Sequence, residues 1–154
     1  MRRILLIVVA LVATGSGCTP PKLSWDGLKR PSSKVRHVSI LEQTEQGAVV
    51  EVSVELRNPN EVPLPLVSSR YTVAVDRVQS FTLHDEVHLT LPAGGRQIVR
   101  LGAAFASDGG ELKGRACTVS GTITYRPPGQ FRKVMTESYV PLPSVAFRGQ
   151  GTLE

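Results

Sequence analysis

His84-Asp85-Glu86-Val87-His88 is the stretch whose residue types come nearest to doing chemistry. Two imidazoles with carboxylates between them invite a zinc site. The pattern departs from the zincin one, because Asp85 follows the first histidine where a glutamate is required. Spacing is a second objection. In a strand, residues four apart share a face but stand about 13 Å apart at roughly 3.3 Å per residue. Zinc takes its nitrogens at about 2 Å each. His84 and His88 could share a metal only on a helix or a tight bend, and the adjacent Asp85 and Glu86 would point to opposite faces of a strand. The expectation is a set of surface polar residues with no metal, and no cofactor is expected elsewhere. His37 is isolated. No Ser/His/Asp motif, phosphate loop or paired carboxylate setting is present, so the sequence reads as that of a protein without catalytic apparatus.

The two cysteines read differently. Cys117 lies in RACTVSGTITY, where Arg115, Cys117, Val119, Gly121, Ile123 and Tyr125 share one face of a strand and the threonines and Ser120 the other. The Cys117 face is the apolar one, so its thiol belongs to the core. A nucleophilic cysteine would need a histidine within reach, and nothing local supplies one. Cys18 follows Gly15-Ser16-Gly17, which resembles a bacterial lipobox, although Gly15 stands where leucine is favoured.

The residues before Cys18 support that reading. Arg2 and Arg3 precede the apolar run Ile4 to Val12, and small residues follow. This is the order of a signal peptide, and the run is far short of the roughly 20 residues a spanning helix needs. Residues 1–17 are therefore read as a lipoprotein-type signal peptide, with Cys18 as the first mature residue and the site of lipid attachment. Ordinary signal peptidase cleavage near the same place is the alternative. A thioether-linked diacylglycerol would tie the chain to a membrane, at about 0.8 kcal/mol per buried methylene. Thr19 stands where an aspartate often retains lipoproteins in the inner membrane, so the expected location is the periplasmic side of the outer membrane in the cell envelope.

Removing the leader leaves about 137 residues, enough for one domain with a core. Lys+Arg falls from 18 to 16 against 13 acids, a net charge near +3. The basic residues are scattered along the chain. A nucleic-acid groove would want a patch with interleaved aromatics, so no nucleic-acid partner is expected. Attraction to anionic head groups is the more natural use of a modest positive charge on a tethered protein.

Residues 18–34 read as a tether, with Thr19-Pro20-Pro21 and Pro31-Ser32-Ser33-Lys34 as linker composition and Leu23, Trp25 and Leu28 placed to pack on the domain edge. Strand signals then recur over residues 35–148. Ala48 to Arg57 is the clearest, with Val50, Val52, Val54 and Leu56 alternating with polar residues. Tyr71 to Val75, Val78 to Leu83, Val87 to Leu91, Val99 to Phe105 and Cys117 to Tyr125 follow. Arg126-Pro127-Pro128-Gly129 reads as a turn that sends Phe131 to Tyr139 back as the second strand of a hairpin, and Val145 to Phe147 as a last short strand. Residues 149–154 read as a C-terminal tail. One helical turn near Glu111 to Arg115 is the only helical candidate. About seven or eight short one-sided strands imply an all-β, antiparallel sandwich.

The strand at Ala48–Arg57 ends in Asn58-Pro59-Asn60, with Pro63 and Pro65 close behind. Pro59 keeps Asn58 extended and removes a donor, and the asparagine side chains are placed for an Asx turn. Pro63 and Pro65 should hold the following segment at an edge or between sheets. Leu64, Leu66 and Val67 should close the end of the sandwich, with an exposed apolar lip as the alternative.

The ordered set Val50–Leu56, Asn58-Pro59-Asn60, Val62–Leu66, Tyr71–Val75, Leu91-Pro92-Ala93-Gly94 and Ile98–Phe105 resembles the late embryogenesis abundant type 2 domain, also called the WHy (water stress and hypersensitive response) domain, over roughly residues 35–140. The resemblance implies a fibronectin-type-III-like sandwich, a structural turn at Asn58, Pro59, Asn60 and Pro63, and a role in tolerance of drying or related stress. It also implies a helix after Phe105, where the glycine-broken ASDGGELKGRA stands instead. The functional expectation is a non-enzymatic, membrane-anchored protein that protects by binding envelope components through its surface. The alternative is an adaptor lipoprotein that docks a protein partner by a sheet edge or loops.

Overall fold

Val50, Val52, Val54 and Leu56 are fully buried, while Glu51 and Glu55 between them are only partly covered. That alternation makes Gly47–Arg57 (β2) a strand with one face on the core. The computed structural model describes residues 27–76, 79–106 and 110–154. Ser32–Gln43 (β1) pairs β2 antiparallel on one side, and Arg96–Ala106 (β6) pairs it on the other. These three form one sheet in the order β1-β2-β6.

The second sheet is built around Leu64–Val75 (β3), which lies between Gln79–Glu86 (β4) and Ala116–Tyr125 (β7). Ser144–Thr152 (β8) extends it beyond β7, and the two-residue Thr90–Leu91 (β5) pairs the start of β3. All pairings are antiparallel, and the two sheets face each other as an all-β sandwich. Tyr71, Val73, Val119, Ile123 and Phe147 of this sheet meet Val52, Val54, Leu101 and Ala103 of the first in one core. Phe81 on β4 stacks on Phe105 of β6, ring centroids 5.4 Å apart, and so ties the two edges across the gap.

Several expectations are corrected. Gln130–Glu137 is an α-helix (α1), where a return strand was expected over Phe131 to Tyr139. Phe131 and Met135 fall at i and i+4, which suits a helix laid over the sandwich end, and Met135 is buried there while Val134 stays exposed. The stretch at Glu111–Arg115 is only a turn. The strand expected from Val87 to Leu91 shrinks to Thr90–Leu91, because β4 runs on to Glu86 and takes the His84-Asp85 pair into its ladder opposite Arg70 and Ser69.

Residues 149–154 are no tail. β8 continues to Thr152, Gly149 and Gly151 pair Val119 and Cys117, and Leu153 is buried. The Ile40 N–H donates to the Glu154 carbonyl at 2.9 Å, so the chain end also closes onto β1 of the other sheet. At the front, Ser32 to Lys34 already belong to β1 and not to the tether.

Pro65 is not at an edge. It lies within β3, opposite Thr90 of β5, and its carbonyl accepts from the Arg126 N–H at 2.8 Å. The reciprocal bond, which proline cannot give, falls one residue beyond the end of β7. Leu64 and Leu66 are buried and close the sandwich end.

Candidate functional site

The strand termini sort the loops into two ends. One end carries the start of β1, the end of β2, the starts of β3, β6 and β8, the end of β7 and all of α1. The Asn-Pro-Asn segment sits there, and it is more than a local turn.

Asn58 is fully buried. Its side-chain oxygen accepts from the Asn60 N–H at 3.0 Å, the expected Asx turn, and from Asn60 Nδ2 at 2.8 Å. Its Nδ2 donates to the carbonyls of Val62 at 2.8 Å, Pro92 at 3.1 Å and Leu91 at 3.4 Å. The Asn58 N–H donates to the Gly95 carbonyl at 2.9 Å, and the Gly94 N–H to the Asn60 carbonyl at 2.8 Å. Gly94 holds φ 60°, a left-handed conformation that suits glycine and lets the Pro92–Gly95 turn reach back. One amide side chain thus fastens the exit of β2, the entry to β3 and the β5–β6 turn, with both amide protons and both oxygen lone pairs used. Pro59 and Pro63 are exposed and shape the backbone around it.

Asn60 reaches further than its sequence neighbourhood indicates. Its Oδ1 accepts from the Lys29 N–H at 2.7 Å, and its Nδ2 donates to the Lys29 carbonyl at 2.8 Å. This two-way clasp fixes the last residues before β1 to the sandwich. Leu28 beside it packs on the core, as expected; Leu23, Trp25 and Cys18 lie outside the described residues. The clasp joins residues 31 apart in the chain, and an Asx motif gives no sign of such a partner. Asn60→Ala is expected to speed tryptic cleavage after Lys29 severalfold while leaving the melting of the sandwich within about 1–2 kcal/mol of the parent. Equal cleavage rates in timed digests would show that the clasp does not restrain this segment.

The histidine segment is dispersed. His84 is an exposed β4 residue, and His88 is an exposed loop residue whose Nε2 lies 3.3 Å from Glu86 Oε2. Asp85 turns inward instead and accepts from the Tyr71 hydroxyl at 2.8 Å. Among the described residues no group of three or more His, Cys, Asp or Glu side chains is placed to hold a metal. Cys117 is buried and free, and burial pushes its thiol pKa up, away from the reactive thiolate.

Tyr71 is a polar group that alternation alone assigns to the apolar face. Its ring is buried, and its hydroxyl also bonds the Gly102 carbonyl on β6, linking the two sheets. Burial, then the Asp85 carboxylate, raises its pKa well above the usual tyrosine range. Burial raises Tyr125 as well. A raised folded-state pKa gives stability that is complete below the unfolded value, about 10, and that drains away as pH climbs beyond it. Urea midpoints should therefore fall above about pH 10, with a shallower fall in Tyr71→Phe. That variant should also cost about 1–2 kcal/mol at neutral pH.

On the outer face of the first sheet, Arg36 bonds Glu55 at 2.6 Å and holds its carboxylate below the usual range, while Arg100 lies 3.8 Å from Glu51. Part of the scattered positive charge is thus neutralised in place.

No family model and no curated protein matches this chain. The likeness is to solved structures. One is the solution structure of a late embryogenesis abundant (LEA) protein, at 13% identity and TM-score 0.61, covering 82% of this chain and 71% of that one. Another is a structural genomics target solved by X-ray crystallography, at 7% identity and TM-score 0.51, over 80% of this chain and 86% of that one. At such identities the likeness is one of fold, and the sandwich built here around the Asn-Pro-Asn junction is the fold of the LEA protein, as the motif resemblance implies.

Proposed function

We propose that the protein is a late embryogenesis abundant type 2 (WHy) domain hung from a membrane by a lipid on Cys18, and that it is not an enzyme. It protects the envelope during drying or related stress through contacts of its outer surface. The observation that carries this reading is the Asn-Pro-Asn junction within a LEA-type sandwich, clasping the segment that leads back to Cys18. Away from its edge strands a folded sandwich has its backbone hydrogen bonds satisfied internally, so in this reading protection comes from side chains on its exterior. Mass spectrometry of the mature N-terminus tests the anchor, with a diacylglyceryl cysteine as the expected result. Survival of a deletion strain after drying tests the role: lower survival than the parent is expected, and equal survival would count against it.

A second reading is favoured by β6. Among the described residues this strand of 11 residues has no ladder partner on the side away from β2, and Ile98, Gly102 and Ala104 are exposed along it, although the Gly102 carbonyl is taken by the Tyr71 hydroxyl. Such an edge accepts an added strand from a protein partner. Crosslinking from β6 in isolated envelopes that returns one specific partner would make the protein an adaptor.

A further inference from the structure

The charges of the described residues divide along the long axis of the sandwich. The end that carries the Asn-Pro-Asn junction exposes Lys29, Arg30, Arg57, Arg126, Arg132 and Lys133 against Glu61, Glu86 and Glu137. The opposite end reverses the balance, with Glu42, Glu45, Asp76, Glu111 and Glu154 against Lys113 and Arg115, and Arg115 already lies 3.9 Å from Asp76. Apolar exposure divides the same way. Of the seven large apolar side chains exposed among the described residues, Leu41 alone lies toward the acidic end; Val62, Leu89, Ile98, Val134, Tyr139 and Val140 lie toward the basic one.

The two features meet at α1. Arg126, Arg132, Met135, Thr136, Tyr139, Val140 and Leu142 line an open groove of about 380 Å³. Neither arginine has an acidic partner within 4.0 Å among the described residues, whereas Lys133 has Glu137 at 3.8 Å. Tyr139 holds φ 53°, a conformation a bulky side chain rarely adopts, and it is 94% exposed. That backbone strain secures no packing within the sandwich; it projects an aromatic ring outward beside two unpaired guanidinium groups. Guanidinium forks suit phosphate oxygens, and a tyrosine ring suits the head-group level of a bilayer.

We propose that this basic, aromatic end is a seat for an anionic lipid surface, with Arg126 and Arg132 on lipid phosphates and Tyr139 and Val140 entering the head-group layer. The occupant follows from position as well as charge. The first described residue, Gly27, is at this end and is only nine residues from Cys18, a reach of at most about 30 Å. The identity of the surface as a bilayer rests on the Cys18 reading; the charge and aromatic pattern does not. The acidic end is repelled by the same surface, so the sandwich stands upright on it.

The test uses the full mature protein with vesicles rich in phosphatidylglycerol and with vesicles of phosphatidylcholine alone. An environment-sensitive dye is placed at Tyr139→Cys in one sample and at Glu45→Cys in another; the native Cys117 is buried. On anionic vesicles the dye at position 139 should shift to a drier environment and the dye at position 45 should not. Arg126→Gln with Arg132→Gln should abolish the shift, and should weaken binding of any unlipidated protein about 30-fold at low salt, on about fivefold per basic side chain near an anionic surface. Equal signals at the two positions, or a shift at 139 that survives loss of both arginines, would overturn the proposal. Flotation with phosphatidylcholine vesicles reports the lipid anchor separately, so failure of the anchor and failure of the seat give different results.

Discussion

Asn58→Ala is expected to lower the unfolding free energy by about 3–5 kcal/mol, a large part of the roughly 5–15 kcal/mol available to a domain of this size. The substitution removes a buried side chain that satisfies three carbonyls and two N–H groups at once. Water can replace some of these bonds at Val62, which is partly exposed, but not around a fully buried position. The loss should appear as an early urea midpoint and as rapid exchange of the Asn60 and Gly94 amides. Asn58→Asp sharpens the test. It keeps the acceptors but aims a carboxylate at backbone carbonyls, which raises its folded pKa. Its stability should therefore improve on acidification and worsen as pH rises through the carboxylate range. A loss below about 1 kcal/mol in Asn58→Ala would mean that the turn holds by its prolines alone.

Gly121→Ala should cost about 3 kcal/mol despite adding one methyl group to a strand. β7 is an interior strand, and a Cβ at Gly121 would meet the Arg70 carbonyl at 2.5 Å, Tyr71 Cβ at 2.6 Å and the Phe147 ring at 2.7 Å. Two of these neighbours are backbone or the root of a side chain and cannot swing aside. Relief must come from separating β3 from β7, which also drags the Tyr71 hydroxyl from Gly102. Gly102→Ala is the control. Its Cβ would meet nothing within 4 Å, and the change should stay within about 0.5 kcal/mol. Equal urea midpoints for the two variants would remove close approach as the reason for glycine at 121.

What could be read from the chain and what could not have separate physical causes. β2, β6 and β7 were legible because one face of each is core and the other is not, so residue types alternate strictly along Val50–Leu56, Val99–Phe105 and Cys117–Tyr125. α1 was not. It has eight residues, begins after Gly129 with no side-chain cap, and has no acid in its first turn, so the usual start signals are missing. The end of β8 was hidden for another reason. Arg148-Gly149-Gln150-Gly151-Thr152 has the composition of a tail, yet its backbone is held by β7 and by the arrival of Leu153 in the core. At the junction, the Asx turn was legible because it is local. The bonds to Lys29 and to the Pro92–Gly95 turn were not, since they depend on where distant segments arrive.

The Asn60 clasp also decides how the domain bears load. A pull on the N-terminal segment would otherwise reach the first rung of β1 directly and peel that strand from β2 one pair at a time. With Lys29 pinned in both directions by a side chain rooted beyond the end of β2, tension passes first into the buried knot of Asn58 and Asn60. Stretching the sandwich from that end should therefore break the clasp as a distinct event before any strand comes away.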